Sequence, residues 1–232
     1  MIRRFRGGDF GYHGRAYAAP THSKEVAMSA VPKKKYTAEE YEAMELVAEY
    51  KSEFYQGEIF PMHGHGGPTA MAGAKFDHNQ VKDNLVFELT SRIKGGPCRT
   101  LSSDMRVRVE ATGLETYPDL LILCGSPEFT SDSEVCLLNP AVVIEVLSPS
   151  TAVYDRGTKF RHYQQIPSLR EIVLLAQDEP VGERFVRVDG GATWNLTTAQ
   201  GLDASLTFAT VDATIPMRDI YAGVEFPGSD GR

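Results

Sequence analysis

Two carboxylates interrupt apolar runs of this chain. Asp119 follows Pro118 in Tyr117-Pro-Asp-Leu-Leu-Ile-Leu-Cys124, and Glu145 lies within Pro140-Ala-Val-Val-Ile-Glu-Val-Leu147. Both runs are near-continuous in β-branched or large apolar residues, the pattern of interior strands covered on both faces. A period of two puts Ala141, Val143, Glu145 and Leu147 on one face, so an acid stands where the pattern calls for packing. A buried unpaired carboxylate is costly. Two acids on adjacent strands also repel unless a cation lies between them, and a hard divalent ion with oxygen ligands is the usual solution. An arginine or a helix N-terminus at each acid would satisfy the same requirement, and the residues alone leave both solutions open.

Residues 148 to 167 read as a loop followed by a short helix that Pro167 stops. Lys159 and Tyr163 are four apart and share a helix face, while Phe160 can turn toward a core. A lysine is thereby delivered near the acids. The simplest chemistry for two metal-binding acids and a lysine is phosphodiester hydrolysis: the ion polarises phosphate and activates water, and the lysine orients the nucleophile or offsets developing charge. Without the acids, Lys159 would read as an ordinary solvated helix lysine.

Tyr117-Pro118-Asp119, Val143-Ile-Glu145-Val-Leu-Ser-Pro-Ser-Thr151 and Tyr154-Asp155-Arg-Gly-Thr-Lys159 with Tyr163 resemble the Uma2 family, a bacterial group assigned as endonucleases in the PD-(D/E)XK, restriction-endonuclease-like superfamily. The resemblance extends over roughly residues 36 to 225. It takes in Glu53-Phe-Tyr-Gln-Gly57-Glu58-Ile59, His78, Ser103-Asp104-Met-Arg106-Val-Arg108 and Gln177-Asp178 in the expected order. It implies a restriction-endonuclease-like fold, a DNA substrate and a Mg²⁺ or Mn²⁺ cofactor held by Asp119 and Glu145. Leu147 stands where the lysine of the superfamily's E-x-K motif would be, so the resemblance carries that role to Lys159 on the following helix. By the same resemblance Glu53 is a candidate third acid, against a solvated hairpin glutamate. His78 is a candidate site-lining residue, against a hydrogen-bonded core histidine.

The 232 residues suit one domain, or a domain with a tail, and are long enough to bury a substantial core. With 42% hydrophobic and 24% charged residues the chain reads as globular, and no apolar stretch approaches the ~18 residues of a membrane span. Cys98, Cys124 and Cys136 are odd in number and lack C-x-x-C spacing, so neither a disulfide framework nor a zinc knuckle is expected, and a reducing cytoplasm fits. Residues 1–35 hold eight basic residues against Asp9 and Glu25, leaving 16 basic and 29 acidic residues in the remainder. The acidic body argues against high duplex affinity, with a small basic strip near Arg156, Lys159 and Arg161 as the exception.

The expected organisation is a disordered basic extension over 1–35, a domain over 36–226 and a flexible tail over 227–232. The extension has no secretory h-region, Met28 marks an alternative start, and a phosphate-gripping basic arm is its sharper reading. Thr37-x-x-Glu40 is a capping box opening a helix through about Val47, and Glu53 to Met62 alternates around Gln56-Gly57 as a hairpin. Lys75 to Ile93 is a helix with Val81, Leu85, Leu89 and Ile93 on one stripe, and His78 lies one turn before it. His63 and His65 sit in a glycine-rich loop read as a cover over the cleft. Leu101 to Val109 reads as one strand with Arg106 and Arg108 on its polar face, and Asp104 either approaches the site or only precedes that strand. Strands over Glu171 to Ala176, Glu183 to Asp189 and Thr193 to Thr198 follow, the last two a hairpin across Gly190-Gly191.

This order predicts an α/β (α+β) domain with a mixed central sheet flanked by helices. The first functional reading is a metal-dependent DNA endonuclease using Asp119, Glu145 and Lys159, with Glu53 and His78 lining the cleft. A homodimer would suit double-strand cleavage, although no residue pattern encodes its interface. The second reading is a catalytically silent nucleic-acid-binding or assembly module of the same fold, which Leu147 and the acidic body favour. A small-molecule hydrolase using the same metal is the third. No phosphate loop, nucleophile elbow or His-rich motif supports another enzyme class.

Overall fold

The computed structural model describes residues 34–62 and 75–226. The expected N-terminal arm, the His63/His65 loop and the 227–232 tail lie outside the described residues. The chain opens with helix α1 (Ala38–Glu45), where Thr37 Oγ1 accepts the Glu40 amide and Glu40 Oε2 accepts the Thr37 amide, the reciprocal cap expected from the sequence. Strands β1 (Ser52–Tyr55) and β2 (Glu58–Pro61) form the hairpin around Gln56-Gly57, with Gln56 at φ 50° and Gly57 at φ 80°. Helix α2 (Phe76–Ile93) buries His78, Val81, Leu85, Leu89 and Ile93 along one stripe.

The single strand expected over Leu101 to Val109 is two: β3 (Cys98–Ser102) and β4 (Arg106–Val109). They belong to different sheets. A turn closed by the Met105 amide on Ser102 O parts them, and Lys51 secures it by donating to Ser103 O and Asp104. Ser-Ser-Asp is turn chemistry that outweighs the apolar alternation on either side. Arg106 is buried: it is 2% exposed, 3.1 Å from Glu115 Oε2 and over the Tyr41 ring.

Strands β5 (Leu114–Thr116) and β7 (Cys136–Leu137) complete a five-stranded sheet in the order β2-β1-β5-β4-β7. The central sheet has six strands. β6 (Leu120–Cys124), β8 (Val142–Leu147), β9 (Glu171–Ala176), β10 (Val181–Arg187) and β11 (Trp194–Gln200) join β3 in the order β11-β10-β9-β8-β6-β3. β8 and β9 run parallel and the other neighbours are antiparallel, so the sheet is mixed. A short hairpin of β12 (Ser205–Phe208) and β13 (Ala213–Pro216) leads into α5 (Met217–Ile220).

Both acid-bearing runs are interior to this sheet, and both faces of their strands are buried. On one face Leu120, Ile122, Val142, Ile144 and Val146 pack under α2, the β12–β13 hairpin and α5. On the other, Leu121, Leu123, Val143 and Leu147 meet Tyr163, Ile166 and Leu169. Those last residues follow from topology, because parallel β8 and β9 require a crossover that returns over the sheet. The crossover is helical from Ala152 to Tyr163: α3 (Ala152–Tyr154), a π-helical turn over Asp155–Lys159, and α4 (Phe160–Tyr163).

The cysteine expectation is corrected. Cys98 and Cys124 stand directly opposite on antiparallel β3 and β6 and form a disulfide, while Cys136 is free and buried. Their separation of 26 in sequence hides a pairing that strand register creates. Among the described residues no helix is long and apolar enough to cross a membrane.

Candidate active site

Antiparallel β6 and β8 pair Leu120 with Ile144, and the same register continued by one residue sets Asp119 opposite Glu145. Asp119 therefore lies just before its strand rather than inside it. Its side chain caps the end of the ladder, Oδ2 accepting the Val146 amide at 2.8 Å, while the Asp119 amide reaches Glu145 Oε2 at 3.4 Å. The start of α2 delivers His78 Nε2 to within 3.2 Å of Asp119 Oδ2. Burial alone would raise the Asp119 carboxyl, but the His78 contact, the Val146 amide and the charge of Lys159 outweigh it and hold the group below its ordinary value.

Glu145 points from the face of β8 onto which the crossover folds. Lys159 Nζ sits 2.9 Å from its Oε1, and the Tyr163 hydroxyl donates to that same oxygen at 2.6 Å. Both side chains come from the shared helix face expected from their spacing of four. Lys159 Nζ also lies 3.7 Å from Asp155 Oδ1 and 3.8 Å from Glu53 Oε1, so one ammonium is ringed by three carboxylates. Lys159 and Glu145 are each 3% exposed.

The charges do not balance. Asp119, Glu145, Glu53 and Asp155 converge, and among the described residues Lys159 is the one lysine or arginine buried with them. Burial first, then the facing Asp119 and Asp155, push Glu145 up to about 8 against the opposing pull of Lys159. Asp155 is raised by burial as well. For Lys159, burial disfavours the charge, yet the carboxylates of Glu145, Asp155 and Glu53 prevail and hold it above its ordinary value as an ammonium.

The five residues singled out from the sequence thus meet in one place: His78 on Asp119, Asp119 against Glu145, Glu145 on Lys159, and Lys159 toward Glu53. Among the described residues neither acid meets an arginine. Glu53 is not a solvated hairpin residue, since its Oε1 accepts the Thr116 hydroxyl at 2.5 Å and its Oε2 the Tyr154 hydroxyl at 2.7 Å. Asp104 stays away from the cluster and pairs with Lys51. The expected basic strip is largely neutralised, because Arg156 pairs with Glu183 and Lys159 is buried among acids.

Sequence reasoning did not assign a role to Asp155, Tyr154 or Thr116. The signal for Asp155 was its position four before Lys159, a spacing that brings opposite charges together on a helix. Thr116 had none, since it reaches Glu53 only through the pairing of β1 with β5.

The donors at Asp119 and Glu145 are hard carboxylate oxygens, which suit Mg²⁺ or Mn²⁺. Among the described residues no group of three or more His, Cys, Asp or Glu side chains is placed to hold a metal ion. The excess of carboxylate over cation is what a divalent ion would relieve. Two surface depressions of about 450 and 320 Å³ lie elsewhere, and none of the four acids lines them.

Residues 38–217 match the model of the Uma2 family, described as "Putative restriction endonuclease". The chain is 36% identical over 173 residues to the uncharacterized protein sll1609 of Synechocystis sp., spanning 75% of this chain and 92% of that protein. It is 28% identical over 197 residues to the uncharacterized protein slr1290 of the same organism, spanning 85% of this chain and 97% of that one. Its fold is similar to the crystal structure of "a putative nuclease belonging to DUF820" from Anabaena variabilis, with a TM-score of 0.62 and 16% identity over 79% of this chain and 96% of that one. At that identity the likeness is one of fold, and the fold is restriction-endonuclease-like.

Proposed function

We propose that this chain, which belongs to the Uma2 family, is a metal-dependent DNA endonuclease that hydrolyses phosphodiester bonds. The observation that carries the reading is the register that sets Asp119 against Glu145 with a buried lysine on the same carboxylate. Asp119 and Glu145 would hold Mg²⁺ or Mn²⁺, which when bound supplies Lewis acidity toward a phosphate oxygen and an acidified water.

Each protein group then has a physical task. Lys159 is an ammonium whose charge its acid neighbours reinforce, so it acts as a donor that offsets charge developing on phosphate rather than as a base. Its arrival on the crossover helix answers the leucine at position 147. Glu53, tied to Thr116 and Tyr154, helps hold the ammonium in place. His78 orients Asp119.

The silent-module reading is favoured by one specific observation, the neutralised basic strip at Arg156 and Lys159. Supercoiled plasmid and labelled single- and double-stranded oligonucleotides, incubated with Mg²⁺, Mn²⁺ or chelator, decide between the two. The endonuclease reading expects metal-dependent nicking that Asp119→Ala lowers by ~10²-fold or more. Binding of the oligonucleotides with no cleavage under either ion would overturn it in favour of the silent module.

A further inference from the structure

Tyr163 is 1% exposed and belongs to the apolar cluster formed by β8, β6 and the crossover. Its ring would pack there equally well as phenylalanine, and a buried hydroxyl is costly unless it finds a partner. The partner is Glu145 Oε1, at 2.6 Å. Lys159 Nζ occupies that same oxygen at 2.9 Å, so Oε1 receives two strong donors. Among the described residues Oε2 receives only the distant Asp119 amide, at 3.4 Å. The carboxylate is therefore pinned by one oxygen, with the other turned to the side on which Asp119 lies.

Glu53 shows the opposite arrangement. Thr116 and Tyr154 each donate to one of its two oxygens, so both are held, and Oε1 also faces Lys159. Two tyrosines from the same crossover thus treat two acids differently: Tyr154 closes Glu53, and Tyr163 orients Glu145.

We propose that Tyr163 is a positioning residue that fixes the Glu145 carboxylate so that Oε2, beside Asp119, is the oxygen presented to a divalent cation. The proposal rests on the metal-dependent reading above. A single donor on Oε1 would not suffice, because a lone lysine contact leaves a carboxylate free to pivot or to take the ammonium on both oxygens.

The test is Tyr163→Phe in the full chain, with Tyr41→Phe as control because that buried hydroxyl donates to Ser52 O. Mn²⁺ affinity is measured calorimetrically without nucleic acid, and the metal-free variant is crystallised in chelator. Tyr163→Phe should bind Mn²⁺ ~10–100-fold more weakly, the usual loss when a group orienting a metal ligand is removed, while Tyr41→Phe binds as the parent does. In the metal-free crystal Glu145 should pivot toward Lys159. With oligonucleotide substrate kcat should fall while KM holds. If the parent binds Mn²⁺ and Tyr163→Phe binds it equally well with Glu145 unmoved, the positioning role is overturned and the metal reading stands. If the parent binds no Mn²⁺, both fall.

Discussion

Replacing Lys159 by methionine tests the charge balance on which the site depends. The ammonium has carboxylate oxygens at 2.9, 3.7 and 3.8 Å. At an effective dielectric of ~20 each such contact corresponds to roughly 4–6 kcal/mol of Coulomb attraction. Much of that offsets the cost of taking the ammonium and the acids out of water, and removing one partner of a buried pair typically costs about 3–5 kcal/mol net. For a chain of this size each kcal/mol moves Tm by roughly 2–4 °C, so the expected drop is roughly 6–20 °C. Methionine keeps most of the buried volume, so the loss is electrostatic rather than a cavity effect.

The pH dependence identifies the origin of that loss. Glu145 is raised from 4.5 to about 8 even with Lys159 present, so its ionisation costs folding stability as pH rises from the ordinary carboxyl value toward the folded one. Without Lys159 the folded value rises further and that cost grows. Melts in chelator should therefore show the Lys159→Met deficit smallest below about 8, where Glu145 is protonated in both folded proteins, and growing as pH rises above about 8, where Glu145 ionises beside Lys159 in the parent but not in the variant. Saturating Mn²⁺ should restore part of it by binding the folded state. A deficit of the same size at every pH, or none at all, would refute the account of Lys159 as the cation that neutralises these acids.

Three further outcomes follow from the same contacts. Glu145→Ala should abolish cleavage yet lower Tm in chelator by less than Lys159→Met, because Lys159 keeps Asp155 and Glu53 within 3.8 Å. Glu115→Ala strands the buried Arg106 and should cost about 3–5 kcal/mol in denaturant titration while leaving Mn²⁺ affinity unchanged. Cys98→Ser opens a loop of sequence separation 26. By the chain-entropy relation that loop is worth about 3–4 kcal/mol, so melts should show the loss in the variant and a matching loss in the reduced parent.

The acids were legible because each broke a local rule. An apolar strand has a strong period, and a carboxylate inside it is an exception that the fold must compensate, so Glu145 stood out before any partner was known. Lys159 and Tyr163 were legible for a related reason, since spacing by four puts two side chains on one helix face whichever sheet that face meets. The residues that stayed hidden are those whose partners depend on strand register. Thr116 meets Glu53 only because β1 pairs with β5, and Cys98 meets Cys124 only because β3 pairs with β6. The failed strand over Leu101 to Val109 has a different cause: the Ser-Ser-Asp turn that parts its halves is local chemistry, which the apolar alternation on either side masked.

That division also bears on how this site is built. The elements that carry Asp119 and Glu145 are held by ladder hydrogen bonds and by apolar packing on both faces, so their separation is set by the central sheet and does not depend on the site's own charges. Lys159, Asp155 and Tyr154 arrive on a crossover whose middle is a π-helical turn, a geometry uncommon except where a helix is adjusted for function. Lys159 closes that turn and Tyr163 lies one helical turn beyond it, and both reach one oxygen of Glu145. The scaffold thus fixes the acids, and the local departure from α-helical geometry sets where the lysine meets them. On the function proposed above, this separation of tasks is how a lysine on a helix would replace one expected on the strand at position 147.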